Sequence, residues 1–206
     1  MLHGDVLTMV RTVVTAAAAA HEKFAAGDLR SVVAAATAIC DALGRDATVL
    51  AFGNGGSAGD AQHFAAELVG RFERERPGLP AIALTADTST LTAIANDYGY
   101  DVLFERQVNA LGRRGDVALG ISTSGRSRNV ELGLVAARNR GLTAIALTGR
   151  DGGPVGRAAD IHVNVAEASS ARVQEVHRTL LHALCAAVDE IMNRPETATE
   201  HRRAGE

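Results

Sequence analysis

The chain has 206 residues, enough for one good-sized domain or a domain with an added arm. Apolar residues make up 47% and charged residues 22%, with a net charge of −3; this argues against intrinsic disorder and against broad affinity for nucleic acid or anionic membranes. With 39 alanines, 3% aromatics and no Trp, the core has to be built from Ala, Val, Leu and Ile packed closely between helices and sheet.

Residues 6–26 and 29–44 carry helical spacing broken at Gly27-Asp28. They predict an N-terminal helical hairpin with an apolar face left over for another subunit. The pattern then changes. Residues 47–52 (ATVLAF) are a short apolar run ending in GNGGS, and a helix follows to about Arg71. Residues 81–85 read as a second strand, and 89–111 as two helices about a turn at Asp97-Tyr98-Gly99. Further strands fall at 116–122, 142–148 and 160–165; the first of these runs through TSGRS into a helix ending near Arg140. A long helix closes the domain from about Ser170 to Met192, and residues 195–206 read as a polar tail.

Continuous apolar strands alternating with helices imply a parallel sheet covered on both faces. The expected fold is therefore α/β, a doubly wound three-layer α/β/α sandwich on a five-stranded parallel sheet. A single domain is expected over 1–194, with 1–44 at an oligomer interface and 45–194 as the ligand-binding core. No segment approaches the ~20 apolar residues needed to span a bilayer. Residues 13–20 (VVTAAAAA) are too short, and the N-terminus lacks the pattern of a secretory leader, so a cytoplasmic location is expected. Cys40 and Cys185 lie in apolar helical stretches and read as buried free thiols of a reducing compartment. Lys23 is the only lysine among 21 basic residues, which disfavours Schiff-base and P-loop chemistry.

Ligands of such sheets sit at the carboxyl ends of the strands, so the loops there carry the information. Ser122, Thr123, Ser124 and Ser127 place four hydroxyls beside backbone amides at a helix start, a suitable cradle for a phosphate. One capping residue would explain only one of them. Gly53-Asn54-Gly55-Gly56-Ser57 permits close backbone approach to a ligand but is not a dinucleotide fingerprint. Together the loops point to a small phosphorylated ligand.

His63 and Glu67, four apart, share one face of the helix leaving the glycine loop. Gln174 and His182, eight apart on the closing helix, also share a face, with Arg178 between them. Two imidazoles, a carboxylate and an amide oxygen can hold Zn²⁺, although the spacing alone also suits surface polar residues. His177 competes for the same face, whereas His3, His162 and His201 read as structural or exposed.

These segments resemble a known family. GNGGSA (53–58), DAQHFAAE (60–67), ANDYG (95–99), GISTSG (120–125) and Gln174-Glu-x-His177…His182 are similar to the phosphoheptose isomerases of the sugar isomerase (SIS) domain family. The likeness runs from about residue 45 to 190 and implies the SIS fold. It further implies conversion of D-sedoheptulose 7-phosphate to D-glycero-D-manno-heptose 7-phosphate, the first step toward nucleotide-activated heptoses. A homotetramer is implied as well, with active sites sharing residues between neighbours and one Zn²⁺ per subunit. By position, Ser122, Thr123, Ser124 and Ser127 would hold the phosphate, and Asn54, Gly55, Gly56, Ser57, Asn96 and Asp97 the sugar. His63, Glu67, Gln174 and His182 would ligate zinc, with Gln174 and Glu67 also at the substrate and Glu67 and His182 the acid/base pair. Ketose–aldose conversion moves a proton between adjacent carbons through an enediol, and a carboxylate and an imidazole suit that task.

Two departures stand out. Arg126-Ser127-Arg128-Asn129 replaces the family's usual Asn-Ser-Pro-Asn, and Gly59 replaces an alanine. Arg128 is expected to face solvent. Two competing readings are a non-catalytic SIS relative that binds the replication initiator, and an isomerase of another sugar phosphate. The full set of His63, Glu67, Gln174 and His182 argues for the enzyme.

Overall fold

A computed structural model of the chain describes residues 2–192; the tail at 195–206 and the His201 reading lie outside the described residues, as does the side chain of His3. Five strands and eight helices alternate: α1 Leu2–Ala25, α2 Arg30–Leu43, β1 Val49–Gly53, α3 Gly56–Val69, β2 Ala81–Ala83, α4 Thr88–Tyr98, α5 Leu103–Leu111, β3 Val117–Ser122, α6 Arg128–Asn139, β4 Thr143–Gly149, α7 Gly153–Arg157, β5 Ile161–Val165 and α8 Ser170–Met192. All pairings are parallel, in the order β2-β1-β3-β4-β5. The expected sandwich is present.

Strand periodicity divides the core in two. Val49 and Ala51 of β1 point into a layer with α2, α3 and α8, while Leu50 and Phe52 point into the layer of α5, α6 and α7. Phe52 stacks on Phe104 of α5 at 5.0 Å between ring centroids. Both faces of the sheet are therefore dry, which is why β1 and β3 read as unbroken apolar runs.

Three details differ from the sequence expectation. Strand β2 stops at Ala83 instead of residue 85, because Ala86 N–H turns back to the Ala83 carbonyl. The turn between α4 and α5 tightens into a 3₁₀ turn at Tyr100–Val102. Helix α7, hidden in a glycine-rich stretch, occupies the β4–β5 crossover. The N-terminal helices are held by α8: His21 Nε2 meets Thr179 Oγ1 at 2.8 Å, and Lys23 pairs with Glu167 at 2.6 Å just before it. Outward from this contact α1 leaves Val6, Leu7, Met9, Val10, Val13 and Val14 about half exposed.

Of the histidines expected to be structural or exposed, His162 is described and is half-buried, and His177, the competitor on α8, turns out to be structural. His162 bonds the Thr148 hydroxyl at 2.6 Å. His177 is wholly buried under α8 and donates Nε2–H to the Thr148 carbonyl at 2.9 Å, facing the sheet and not the Gln174–His182 side. Burial drives its pKa from 6.5 to about 4, against the favourable carbonyl bond. The unfolded chain thus binds a proton between these values that the folded chain refuses. Stability is full above pH 6.5 and falls toward pH 4, by on the order of 3 kcal/mol from this ring. His177→Gln is expected to flatten the melting temperature against pH over that window; an unchanged slope would assign the acid sensitivity elsewhere.

Candidate active site

Strand order reverses direction between β1 and β3, and at that switch point the crevice at the carboxyl ends of the strands opens. The glycine loop and the serine loop both lie there. Asn54 ties them together. Its Nδ2 donates to Asn129 Oδ1 at 2.8 Å, Asn129 Nδ2 donates back to Asn54 Oδ1 at 2.9 Å, and the Tyr100 hydroxyl donates to the same oxygen at 2.9 Å. A cavity of ≈ 210 Å³ runs from Asn54 and Gly55 past Thr85 to Thr92, Ala95 and Tyr100. Gly55 has φ 57° and Ser57 is buried at the start of α3. Asn96 and Asp97 sit on the last turn of α4, exposed and bonded to one another at 2.8 Å, outside this cavity.

In the serine loop Ser122 Oγ lies 2.9 Å from Ser127 Oγ and 3.4 Å from Ser124 Oγ, and Ser124 Oγ accepts the Arg126 amide at 3.1 Å. Ser127 occupies the N-cap of α6, yet its hydroxyl makes no capping bond. Capping therefore does not account for it, and the hydroxyl is available with the helix's first amides to an anion. Thr123 is half-buried between Ser122 and Ser124. Gly125, at φ 67°, lets the loop press against Gly152, where an added Cβ would fall 2.4 Å from the carbonyl oxygen. Arg126 pairs with Asp151 at 2.6 Å across this contact, and Arg128 pairs with Glu131 at the surface.

Helices α3 and α8 bring the other candidates together. His63 Nε2 lies 2.8 Å from His182 Nε2 and 3.5 Å from Glu67 Oε1. Phe72 closes the far side of His182, with centroids 5.5 Å apart. Burial, the Arg178 charge and His182 hold His63 below the usual imidazole value despite Glu67 and Asp60, so the ring is neutral near pH 7 and available as a ligand. The Gln174 amide lies over Gly56, with Nε2 3.5 Å from Asp60 Oδ2.

Two imidazole nitrogens and a carboxylate oxygen are the donor types of zinc. Ligand atoms on a tetrahedral zinc at about 2.0–2.1 Å stand about 3.3 Å apart. The Glu67–His63 separation of 3.5 Å is near that value; the two rings, at 2.8 Å, would have to part by about 0.5 Å. Among the described residues no three His, Cys, Asp or Glu side chains are placed, as they stand, to hold a metal ion. The donor chemistry fits.

Several functional residues escaped the sequence reading. Asp60, 1% exposed, accepts Arg178 Nη2 at 2.7 Å and Gln174 Nε2 at 3.5 Å. Burial raises its carboxyl while Arg178 and Gln174 oppose the rise. Helical spacing could have found it, since Asp60 lies three before His63 on the same face. Arg76 is a long-range partner: it pairs with Asp189 at 2.8 Å and donates to the carbonyls of Leu68 and Glu67, both at 2.8 Å. It thereby seals the last turn of α3, where Glu67 sits, onto α8. Cys40 and Cys185, by contrast, are the buried free thiols expected, pushed up by burial to about 11 and about 12.

Residues 14–149 match the family model of the SIS domain. A phosphoheptose isomerase from Halorhodospira halophila is 54% identical over 161 residues, 77% of this chain and 81% of its own length. The solved phosphoheptose isomerase from Neisseria gonorrhoeae superposes with a TM-score of 0.80 at 45% identity, over 92% of this chain and all of that one. The one from Francisella tularensis gives 0.86 at 37% identity, over 90% and 98% of the two chains.

Proposed function

Because this chain belongs to the SIS domain family and, within it, to the phosphoheptose isomerases, we propose that it converts D-sedoheptulose 7-phosphate to D-glycero-D-manno-heptose 7-phosphate. The observation that carries this reading is the pairing of an uncapped hydroxyl cradle at the switch point with a His63–Glu67–His182 cluster on the neighbouring helices. A regulatory relative would have no need of the His63–Glu67–His182 cluster. The phosphate sits on Ser122, Thr123, Ser124 and Ser127, and the sugar lies against Asn54, Gly55, Gly56 and Ser57, with Asn96 and Asp97 nearest its open end. Glu67 takes the proton from C1 of the ketose and returns it to C2, while His182 relays a proton between O1 and O2 through the enediol. His63, Glu67, Gln174 and His182 would hold one Zn²⁺ per subunit, and the bound ion supplies Lewis-acid stabilisation of negative charge on the substrate oxygens.

The reading is tested by offering the purified enzyme sedoheptulose 7-phosphate beside ketose phosphates of five and six carbons, with zinc content measured by emission spectrometry. Turnover confined to the heptose, from protein carrying about one zinc per chain, is the expected result. Preference for a shorter sugar would move the assignment to another sugar phosphate isomerase. Ser127→Ala should raise KM by roughly tenfold with a smaller change in kcat, because it removes a phosphate donor distant from the reacting carbons.

The enzyme works as a cytoplasmic homotetramer whose sites are completed by neighbouring subunits. The support is the apolar face of α1, from Val6 to Val14, which nothing among the described residues covers. Sedimentation should give about four times the 21.4 kDa chain mass, and Val14→Glu should lower it. A monomer at micromolar concentration would contradict this.

A further inference from the structure

Asp60 is the most deeply buried acid on the α3 face that carries His63 and Glu67, and no step of the isomerisation uses it. Its partners are specific. Arg178 Nη2 lies 2.7 Å from Oδ1, and Gln174 Nε2 lies 3.5 Å from Oδ2. Gly56, one turn earlier, gives the Gln174 amide its seat: an added Cβ there would fall 1.9 Å from Nε2 and 2.8 Å from Oε1. The amide is thus wedged between a bare backbone and a carboxylate.

An amide has two chemically opposite ends, and only the carbonyl oxygen can ligate a cation or accept from a substrate hydroxyl. A carboxylate paired with a guanidinium is an acceptor only, so it can engage the NH₂ end of Gln174 and not the other. We propose that Asp60 is a positioning residue that fixes the polarity of Gln174, consuming its NH₂ group so that Oε1 is presented to the zinc. The inference rests on the proposed zinc reading. Partners of this kind, one shell behind a ligand, are typically worth 10–100-fold in metal affinity.

The test is zinc affinity, read by competition with a chromophoric chelator, with the melting temperature of the metal-free protein as a control for folding. Wild type is measured first. Asp60→Asn offers Gln174 an NH₂ group of its own and invites the amide to turn over; zinc binding should weaken about 10–100-fold. The reciprocal pair, Asp60→Asn with Gln174→Glu, exchanges donor and acceptor and keeps the net charge, and should return affinity to within about fivefold of wild type. Gln174→Glu alone, which brings a carboxylate to the metal, sets the baseline: a purely structural role for Asp60 predicts that the two substitutions simply add, and the inference predicts recovery beyond that sum. Asp60→Asn binding zinc within about twofold of wild type, or a double variant no tighter than the single one, overturns the inference. If Asp60→Asn alone does not fold, the double variant decides against wild type: zinc affinity within about fivefold supports the inference, and weaker binding overturns it. Wild type that isomerises the sugar without binding zinc overturns the metal reading and this inference together.

Discussion

Glu67→Gln is expected to lower kcat by about 10³-fold or more, with KM for the sugar phosphate changed only a few-fold and the fold intact. Glutamine keeps the size and hydrogen-bonding reach of glutamate but loses its negative charge, and with it both the capacity to take a proton from carbon and part of its strength as a metal ligand. The fold should survive because Glu67 holds no buried structural bond through its side chain; its backbone carbonyl is the part clamped by Arg76. His182→Ala should be as damaging. Each variant's zinc content separates a lost proton carrier from a lost ligand: an inactive, zinc-replete Glu67→Gln protein places the defect in proton transfer. Near wild-type turnover in either variant would remove that residue from the acid/base pair.

The largest expected effect on stability lies far from any motif. Asp189 accepts the amides of Glu73 and Arg74 at 3.0 and 2.9 Å and the Arg76 guanidinium at 2.8 Å, with both charged side chains at most 3% exposed. Burial alone would push the carboxyl up, but these donors outweigh it and hold its pKa below the ordinary value. Asp189→Ala leaves the Arg76 charge buried without its carboxylate partner, at a cost of about 3–5 kcal/mol. For a chain of this size that is a fall of about 10 °C or more in melting temperature. Replacing both partners by apolar residues, Arg76→Met with Asp189→Leu, should cost less than Asp189→Ala alone, because no charge is then stranded. A single variant that melts within about 2 °C of wild type would show that the pair is dispensable. A loss of kcat beyond the loss of folded protein would show that the clamp also holds Glu67 in place.

What could be read from the amino acids follows the range over which physical signals act. The runs at 47–52, 116–122 and 142–148 are apolar on both faces through their centres, with polar residues near their ends, because both faces of the sheet are covered, so the layered parallel architecture was legible at once. The position of the serine loop followed from the same argument, since the carboxyl ends of parallel strands are where ligands bind. His63–Glu67 and Gln174–His182 were legible as helical faces. That the faces meet, with His63 and His182 in contact across 119 residues of sequence, is a tertiary fact which spacing alone left open.

The interactions that stayed hidden are those with no local signature. Arg76 lies in a polar connection, and nothing near it in sequence announces a buried partner at Asp189. Asn129 keeps the family pattern between two arginine departures and carried no role in the sequence, yet its amide pair with Asn54 joins the two loops. Helix α7 was masked by Gly152, Gly153 and Gly156, residues that argue against a helix until one sees the Gly125 backbone and the His162 ring pressed against them.

Carbon-to-carbon proton transfer on a heptose phosphate can be read directly by proton NMR in D₂O. Sedoheptulose 7-phosphate is incubated with the purified enzyme, with and without prior removal of metal by a chelator. The account predicts new aldoheptose 7-phosphate anomeric signals, deuterium carried into the product at C2, and slower conversion after metal removal that added zinc restores. Folded, zinc-loaded enzyme that yields neither product nor exchange at C1 of the ketose would contradict it.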